Sequence, residues 1–207
     1  MAVSVGIGNC EIIDQGGYKM FAEPCEKIAS VMTGFHQNWG IAGGWAIDLF
    51  IGQETRNHSD IEIAVFRKDQ VDVKQYLKNW TFHKVVKGER QFWGDEFLER
   101  PIHELHAIRE ADQQLVEILL NETDDEQWLF RRDKSISLSL DKVWFSSNEG
   151  VPYLNPVIVL LYKVRGTREK DHQDFHQVIG HLHTSDRQWL KAAIEQHEPE
   201  HEWLSYL

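Results

Sequence analysis

One stretch constrains this chain more than any other: Gly43-Gly44-Trp-Ala-Ile-Asp-Leu-Phe-Ile-Gly52-Gln-Glu-Thr-Arg56-Asn-His58-Ser-Asp60-Ile-Glu62-Ile63. Just before it, Trp39 to Ala42 reads as a short buried strand, which the two glycines break. Trp45 to Ile51 then carries apolar residues at helical spacing until Gly52 stops the element. A strand that turns through glycine into a helix offers backbone N–H groups to an anion. Without Cβ atoms in the way, a phosphate can approach the main chain. Asp60 to Phe66 is the best strand pattern in the chain, with near-strict alternation. The carboxylates of Asp60 and Glu62, two residues apart, should therefore share a face, while Ile61, Ile63 and Val65 point into the core. Converging hard oxygen ligands suit Mg²⁺, which also takes oxygens from nucleotide phosphates. Arg56 and His58 stand just upstream, where they could hold a triphosphate. A Gly-Gly turn or two surface acids would mean little alone; their succession in this order points to a phosphate and metal site.

Around this stretch the chain reads as an α/β (α+β) protein. Residues 1–20 carry four glycines and little periodicity, as a short strand, loop or lead-in would. Cys25, Ile28, Ala29, Met32 and Phe35 recur at helical spacing, and Val71 to Trp80 reads as a second helix. Strand patterns follow at Thr81–Val86, Ile102–Ile108 and Gln113–Leu120, then near Trp128–Phe130 and Val143–Phe145. The character changes at Gly150-Val-Pro-Tyr-Leu-Asn-Pro156, beyond which 156–165, 169–182 and 186–197 read as helices. Asn155 before Pro156 is an N-cap followed by a first-turn proline, and Ser185 with Gln188 resembles a capping box. The expected division is residues 1–150 as an α/β domain and 151–207 as a small helical domain.

Charge excludes little but orients the rest. With 33 acids against 22 Lys plus Arg in 207 residues, the net charge is −11, and full protonation of the 11 histidines would cancel it. That balance disfavours nucleic-acid binding through a bulk basic surface and favours cationic partners or metal ions. No apolar run approaches the roughly 20 residues that a membrane span needs. The sequence shows no secretory signal, and Cys10 and Cys25 are too few for a disulfide scaffold, so a cytoplasmic setting is expected. Eight Trp should mostly fill the core. His172 and His176, or His103 and His106, lack a zinc-protease motif, and neither a P-loop nor a GxSxG elbow is present.

The glycine pair, a spacer and Asp-hydrophobic-[Asp/Glu]-hydrophobic together resemble the DNA polymerase β-like nucleotidyltransferase superfamily. The fuller run from Gly43 to Ile63 is similar to its aminoglycoside 2″- and lincosamide nucleotidyltransferase branch. The similarity continues through Gln127-Trp-Leu-Phe-Arg-Arg132, Gly150-Val-Pro-Tyr-Leu154, Leu160-Leu-Tyr-Lys163, Lys170-Asp171 with Asp174-Phe175, and Arg187-Gln-Trp-Leu190, covering most of 37–207. Two departures stand out: Glu62 where several antibiotic-modifying members have Asp, and Val157 where relatives commonly carry Glu.

The resemblance implies a mixed sheet flanked by helices, with the C-terminal helical domain closing a cleft. It implies attack of an acceptor hydroxyl on the α-phosphate of a nucleoside triphosphate, ATP being the expected one, with two Mg²⁺ ions clamping the reacting oxygens. A third carboxylate from a neighbouring strand is expected, and Glu117, an acid in the apolar strand Gln114 to Leu120, is the candidate for metal ligand, general base or both. Lys163 would reach the triphosphate, with Lys170 a weaker candidate. The expected set is thus Asp60, Glu62 and Glu117 for catalysis and metal, with Gly43, Gly44, Arg56, His58 and Lys163 for the nucleotide. The acceptor is expected to be small and hydroxylated, for instance an antibiotic. Glu89, Asp95, Glu96, Glu99 and Glu104 around Phe92, Trp93 and Phe97 would suit a cationic one. A transferase acting on a protein or RNA, and a non-catalytic nucleotide-binding relative, are the competing readings.

Overall fold

The structure, a computed structural model, describes residues 22–207. Cys10 and the reading of residues 1–20 lie outside the described residues. Helix α1 (Glu23–Val31) buries Cys25 and Ile28 and is followed by β1 (Trp39–Ile41) and α2 (Gly43–Ile51). Helix α2 ends as its sequence requires: Gly52 takes a left-handed φ of 86°, and its N–H reaches the Asp48 carbonyl at 2.8 Å. Strand β2 (Glu62–Phe66) leads to α3 (Gln70–Tyr76), then β3 (Trp80–Val86), β4 (Glu89–Phe92), β5 (Glu104–Arg109) and β6 (Gln114–Thr123). The chain continues through β7 (Gln127–Leu129), β8 (Ser137–Ser139), β9 (Trp144–Ser146) and β10 (Pro152–Leu154), and ends in α4 (Pro156–Lys163), α5 (Glu169–Ile179) and α6 (Thr184–His197).

The strands form one mixed sheet in the order β4-β3-β5-β6-β2-β1-β10-β9, with β7 and β8 extending from β6. Pairing is antiparallel except where β2 meets β6 and β1 meets β10. The parallel β2–β6 pair sets Glu62 beside Glu117, Ile63 beside Ile118 and Val65 beside Leu120. Strand β2 is central, so burial is heavier than simple alternation predicts: Ile63, Ala64, Val65 and Phe66 are all buried, on both faces, while Ile61 is only half-buried. All eight Trp lie in the core or pack against it. Burial pushes the Cys25 thiol up to about 12.

Several boundaries depart from the sequence reading. Trp80 opens β3 opposite Arg109 instead of closing a helix, because α3 stops at Tyr76 and a turn bonds the Trp80 N–H to the Leu77 carbonyl. Asp60 lies two residues before β2, although the Glu117 N–H still bonds the Ile61 carbonyl at 3.0 Å. Helix α6 begins after His183, so Ser185 sits inside its first turn and caps nothing. The Asn155–Pro156 start is as expected: the Asn155 carboxamide accepts from the Val157 N–H at 2.9 Å. Val157 itself is buried, so the helix start is satisfied without the acid common in relatives. No helix among the described residues is long and apolar enough to cross a membrane.

Candidate active site

A cleft of about 500 Å³ lies between β2, β6, the start of α2 and the α4–α5 corner. Gly43, Gly44, Arg56, His58, Asp60, Glu62, Glu117 and Lys163, every site residue expected from the sequence, line it. Register explains the carboxylates: Glu62 and Glu117 are direct partners across a parallel ladder, and Asp60 comes in two residues upstream of Glu62. Burial first, then the neighbouring Asp60 and Glu117, push the Glu62 carboxyl up to about 7; Lys163 opposes this. Burial also raises Glu117, against the pull of His106. Asp60, Glu62 and Glu117 line one cleft with hard oxygen donors of the kind Mg²⁺ takes, whereas the group whose donor atoms already lie within 4.8 Å of one another, among the described residues, is Glu104, His106 and Glu117.

The two glycines make room for the chain's own side chains. A Cβ on Gly43, whose φ is 59°, would overlap the Glu62 carboxylate; one on Gly44 would overlap the Arg56 guanidinium and the His58 ring. No side chain caps the start of α2, so its first N–H groups face the cleft without a side-chain partner.

The expected phosphate ligands are more committed than their sequence suggested. Arg56 gives Nε and Nη2 to both oxygens of buried Asp174, at 2.8 and 3.0 Å. Lys163 bridges Asp171 at 2.7 Å and Asp174 at 3.0 Å, and Arg168 joins Asp171 at 2.8 Å. Burial alone would raise the Asp171 carboxyl, but hydrogen bonds from Arg168 and Lys163 hold it well below the usual carboxylate range. His58 Nε2 lies 2.6 Å from Asp48 Oδ2, and its ring packs 4.4 Å from that of Trp45. Thr55 donates to the other Asp48 oxygen at 2.6 Å. Asp48 thus pins the loop carrying Arg56 and His58.

The lining is basic: seven Lys and Arg (56, 131, 132, 163, 165, 168, 170) against four acids (60, 62, 117, 171), the reverse of the chain's net charge of −11. Arg131 and Arg132 lie over the Tyr162 ring at 5.5 and 5.7 Å, and Arg132 donates to the Tyr162 carbonyl at 2.9 Å. Most of the acidic surplus expected around an acceptor is elsewhere; only Glu104 comes near, through His106 beside Glu117. Glu89 and Phe92 sit on edge strand β4, three strands from β6, and Trp93 is buried beneath it. Glu96 is paired with Lys84 at 2.6 Å. None of Glu89, Phe92, Trp93, Asp95, Glu96, Phe97, Glu99 or Glu104 lines the cleft.

Sequence reasoning also missed residues beside Glu117. His106, opposite Glu117 on β5, is buried, with Nε2 2.7 Å from Glu104 and 3.7 Å from Glu117. Local spacing alone could not show this, because the pairing of β5 with β6 creates it. The Arg56–Asp174 and Lys163–Asp171 pairs bridge distant segments, though Lys170-Asp171 and Asp174-Phe175 were visible as motifs.

Comparison with known proteins follows from this geometry. The solved structure of the lincosamide antibiotic adenylyltransferase LnuA, bound to lincomycin, is similar, with a TM-score of 0.52 and 18% identity over 75% of this chain and 95% of that one. The solution structure of the antibiotic-resistance factor ANT(2″)-Ia gives 0.56 and 15% over 87% and 95%. ANT(2″)-Ia with adenylyl-2″-tobramycin gives 0.54 and 14% over 83% and 95%. These likenesses show the fold, and no curated protein sequence matches the chain. The profile of the aminoglycoside-2″-adenylyltransferase family matches residues 25–188, most of the chain. With the nucleotidyltransferase sheet, the glycine turn and the acidic strand pair already in place, the chain is a nucleotidyltransferase and belongs to the aminoglycoside-2″-adenylyltransferase family.

Proposed function

We propose that the protein transfers a nucleoside monophosphate from a nucleoside triphosphate, ATP by the family's name, to a hydroxyl of a small acceptor such as an antibiotic. The observation that carries this is the meeting of Asp60, Glu62 and Glu117 in one cleft with the uncapped glycine start of α2. Asp60, Glu62 and Glu117 would hold Mg²⁺, which supplies positive charge against the attacked phosphate and its leaving group. Glu117 would take the proton of the acceptor hydroxyl; burial has raised its affinity for a proton, as a general base near neutral pH requires. The N–H groups at Gly43 and Gly44 would meet phosphate oxygens. Lys163 faces the same space from α4, and Arg56, fixed by Asp174, keeps N–H groups beyond those Asp174 uses. The acceptor oxygen forms a bond to the α-phosphorus as pyrophosphate leaves.

The test is pyrophosphate release from each of four NTPs with Mg²⁺ and a panel of aminoglycosides and lincosamides. Release with one acceptor, lost in Asp60→Ala, supports the reading. NTP binding without transfer to any small molecule, with label appearing on a protein instead, would replace the acceptor class. Failure of every NTP to bind in Mg²⁺ would remove the proposed activity.

A further inference from the structure

Glu117 belongs to a second group of side chains besides the acids of the cleft. Strand pairing puts it opposite His106, and Glu104 stands two residues before His106 on β5, on the same face. One ligand atom from each of Glu104, His106 and Glu117 lies within 4.8 Å of the other two. The imidazole is the pivot. His106 is 6% exposed, and its Nε2 stands 2.7 Å from Glu104 Oε1 and 3.7 Å from Glu117 Oε1. Its other nitrogen, Nδ1, is buried and has no hydrogen-bond partner, so the polar contacts of the ring are all directed at the two carboxylates.

A hydrogen bond alone does not account for this arrangement. One carboxylate satisfies Nε2, and two carboxylates against one imidazole leave negative charge over whether or not the ring is protonated. The surroundings add to it: Glu104 is among the charges that raise the carboxyls of both Glu117 and Glu62. Arg90, exposed on edge strand β4, opposes this at Glu117 more weakly than His106 does. A divalent cation removes the imbalance, since two carboxylates and a neutral imidazole cancel its charge. The distances also fit. Ligand atoms each about 2.1 Å from one ion lie roughly 3.0–3.4 Å apart in octahedral or tetrahedral geometry. The separations of 2.7 and 3.7 Å straddle that span.

We propose that Glu104, His106 and Glu117 form a transition-metal site, for an ion such as Zn²⁺, that competes with the proposed Mg²⁺ set for Glu117. The nitrogen ligand sets the two apart: imidazole suits Zn²⁺, whereas Mg²⁺ takes oxygen. Glu104 and Glu117 are partly exposed and Glu117 lines the cleft, so an ion can enter, and three protein ligands leave a position open to water. An ion held there would occupy the Glu117 oxygen that the transferase reading gives to the acceptor hydroxyl, so Zn²⁺ would slow transfer. That consequence rests on the transferase reading; the site itself does not.

Calorimetric titration with Zn²⁺, on nucleotide-free protein stripped of metal, tests the site. Wild type, Glu104→Gln, His106→Gln and Asp60→Ala are compared, each checked for its fold by circular dichroism. The expected result is one Zn²⁺ per chain, bound at least tenfold more weakly by Glu104→Gln and by His106→Gln, but within threefold of wild type by Asp60→Ala. Glu104 is partly exposed, so Glu104→Gln keeps the test decisive if the buried His106→Gln variant unfolds. Equal Zn²⁺ binding by wild type and Glu104→Gln would overturn the proposal. Loss of Zn²⁺ binding in Asp60→Ala alone would overturn it too, by placing the ion among the three acids of the cleft. If no NTP binds wild-type protein in Mg²⁺, the transferase reading falls, while the Zn²⁺ titrations still decide whether the metal site exists.

Discussion

Five carboxylates gather around this cleft, and their environments are opposite. Asp171 and Asp174 are almost completely buried, yet Arg56, Lys163 and Arg168 surround them, and Asp171 is held firmly ionised. Asp60, Glu62 and Glu117 are less buried but crowd one another, and Glu62 and Glu117 are driven toward protonation. Neutralised buried acids brace α5 against the loop after α2. Crowded acids short of cations store repulsion that a bound cation would relieve. Burial alone therefore does not separate scaffold from chemistry here; the balance of charge around each acid does.

The largest expected effect comes from the crowded set. Asp60→Ala or Glu62→Gln should lower pyrophosphate release by roughly 10³-fold or more, since several kcal/mol of transition-state charge stabilisation depend on these ligands. The folded state should survive, as read by circular dichroism; a variant that unfolds instead would make these acids scaffold.

Breaking the neutralised set should do the reverse. Asp174→Ala leaves Arg56 and Lys163 short of their shared partner and should cost about 3–5 kcal/mol in urea unfolding, as removal of one member of a buried ion pair does. A loss below about 1 kcal/mol would show that the pair is not bracing the fold.

Glu62 links the comparison to pH. Its folded pKa, about 7, lies above the unfolded value near 4.5, so between these values the folded state binds more protons. Without divalent cation, stability should fall as pH rises from about 4.5 to 7, by on the order of 1 kcal/mol for a half-buried group, or about 2–4 °C in Tm. Glu62→Gln should flatten that slope, and Mg²⁺ should raise Tm more at pH 8 than at pH 5.5. A slope of the same size in the variant would assign it to other groups.

The smallest effect sharpens the boundary of the site. Glu96→Gln, in the acidic and aromatic stretch expected to suit a cationic acceptor, should leave transfer rates unchanged, because Glu96 pairs with Lys84 outside the cleft. A raised KM with unchanged kcat would return that stretch to acceptor binding.

Local chemistry made much of this legible from residues alone. Gly52 ending α2, Asn155 capping α4 and the acidic start of β2 follow from backbone and side-chain preferences that operate within a few residues. The same locality let the glycine turn and Asp60–Glu62 be recognised as one motif, and an acid in the apolar Gln114–Leu120 segment marked Glu117. The segments within 81–120 read as consecutive antiparallel strands, and they pair so, but the register of that pairing was not legible. The alignment of β2 with β6 sets Glu62 against Glu117, and that of β5 with β6 sets His106 beside it. Ion pairs across 118 residues engage Arg56, and the acids near Trp93 lie on a distant edge. Sequence by itself determined which groups could hold metal and phosphate, because functional-group chemistry and short-range geometry are carried by the residues. Only the tertiary structure decided which charges are neutralised and which remain uncompensated, because electrostatic energy depends on neighbours in space and on their exclusion from water.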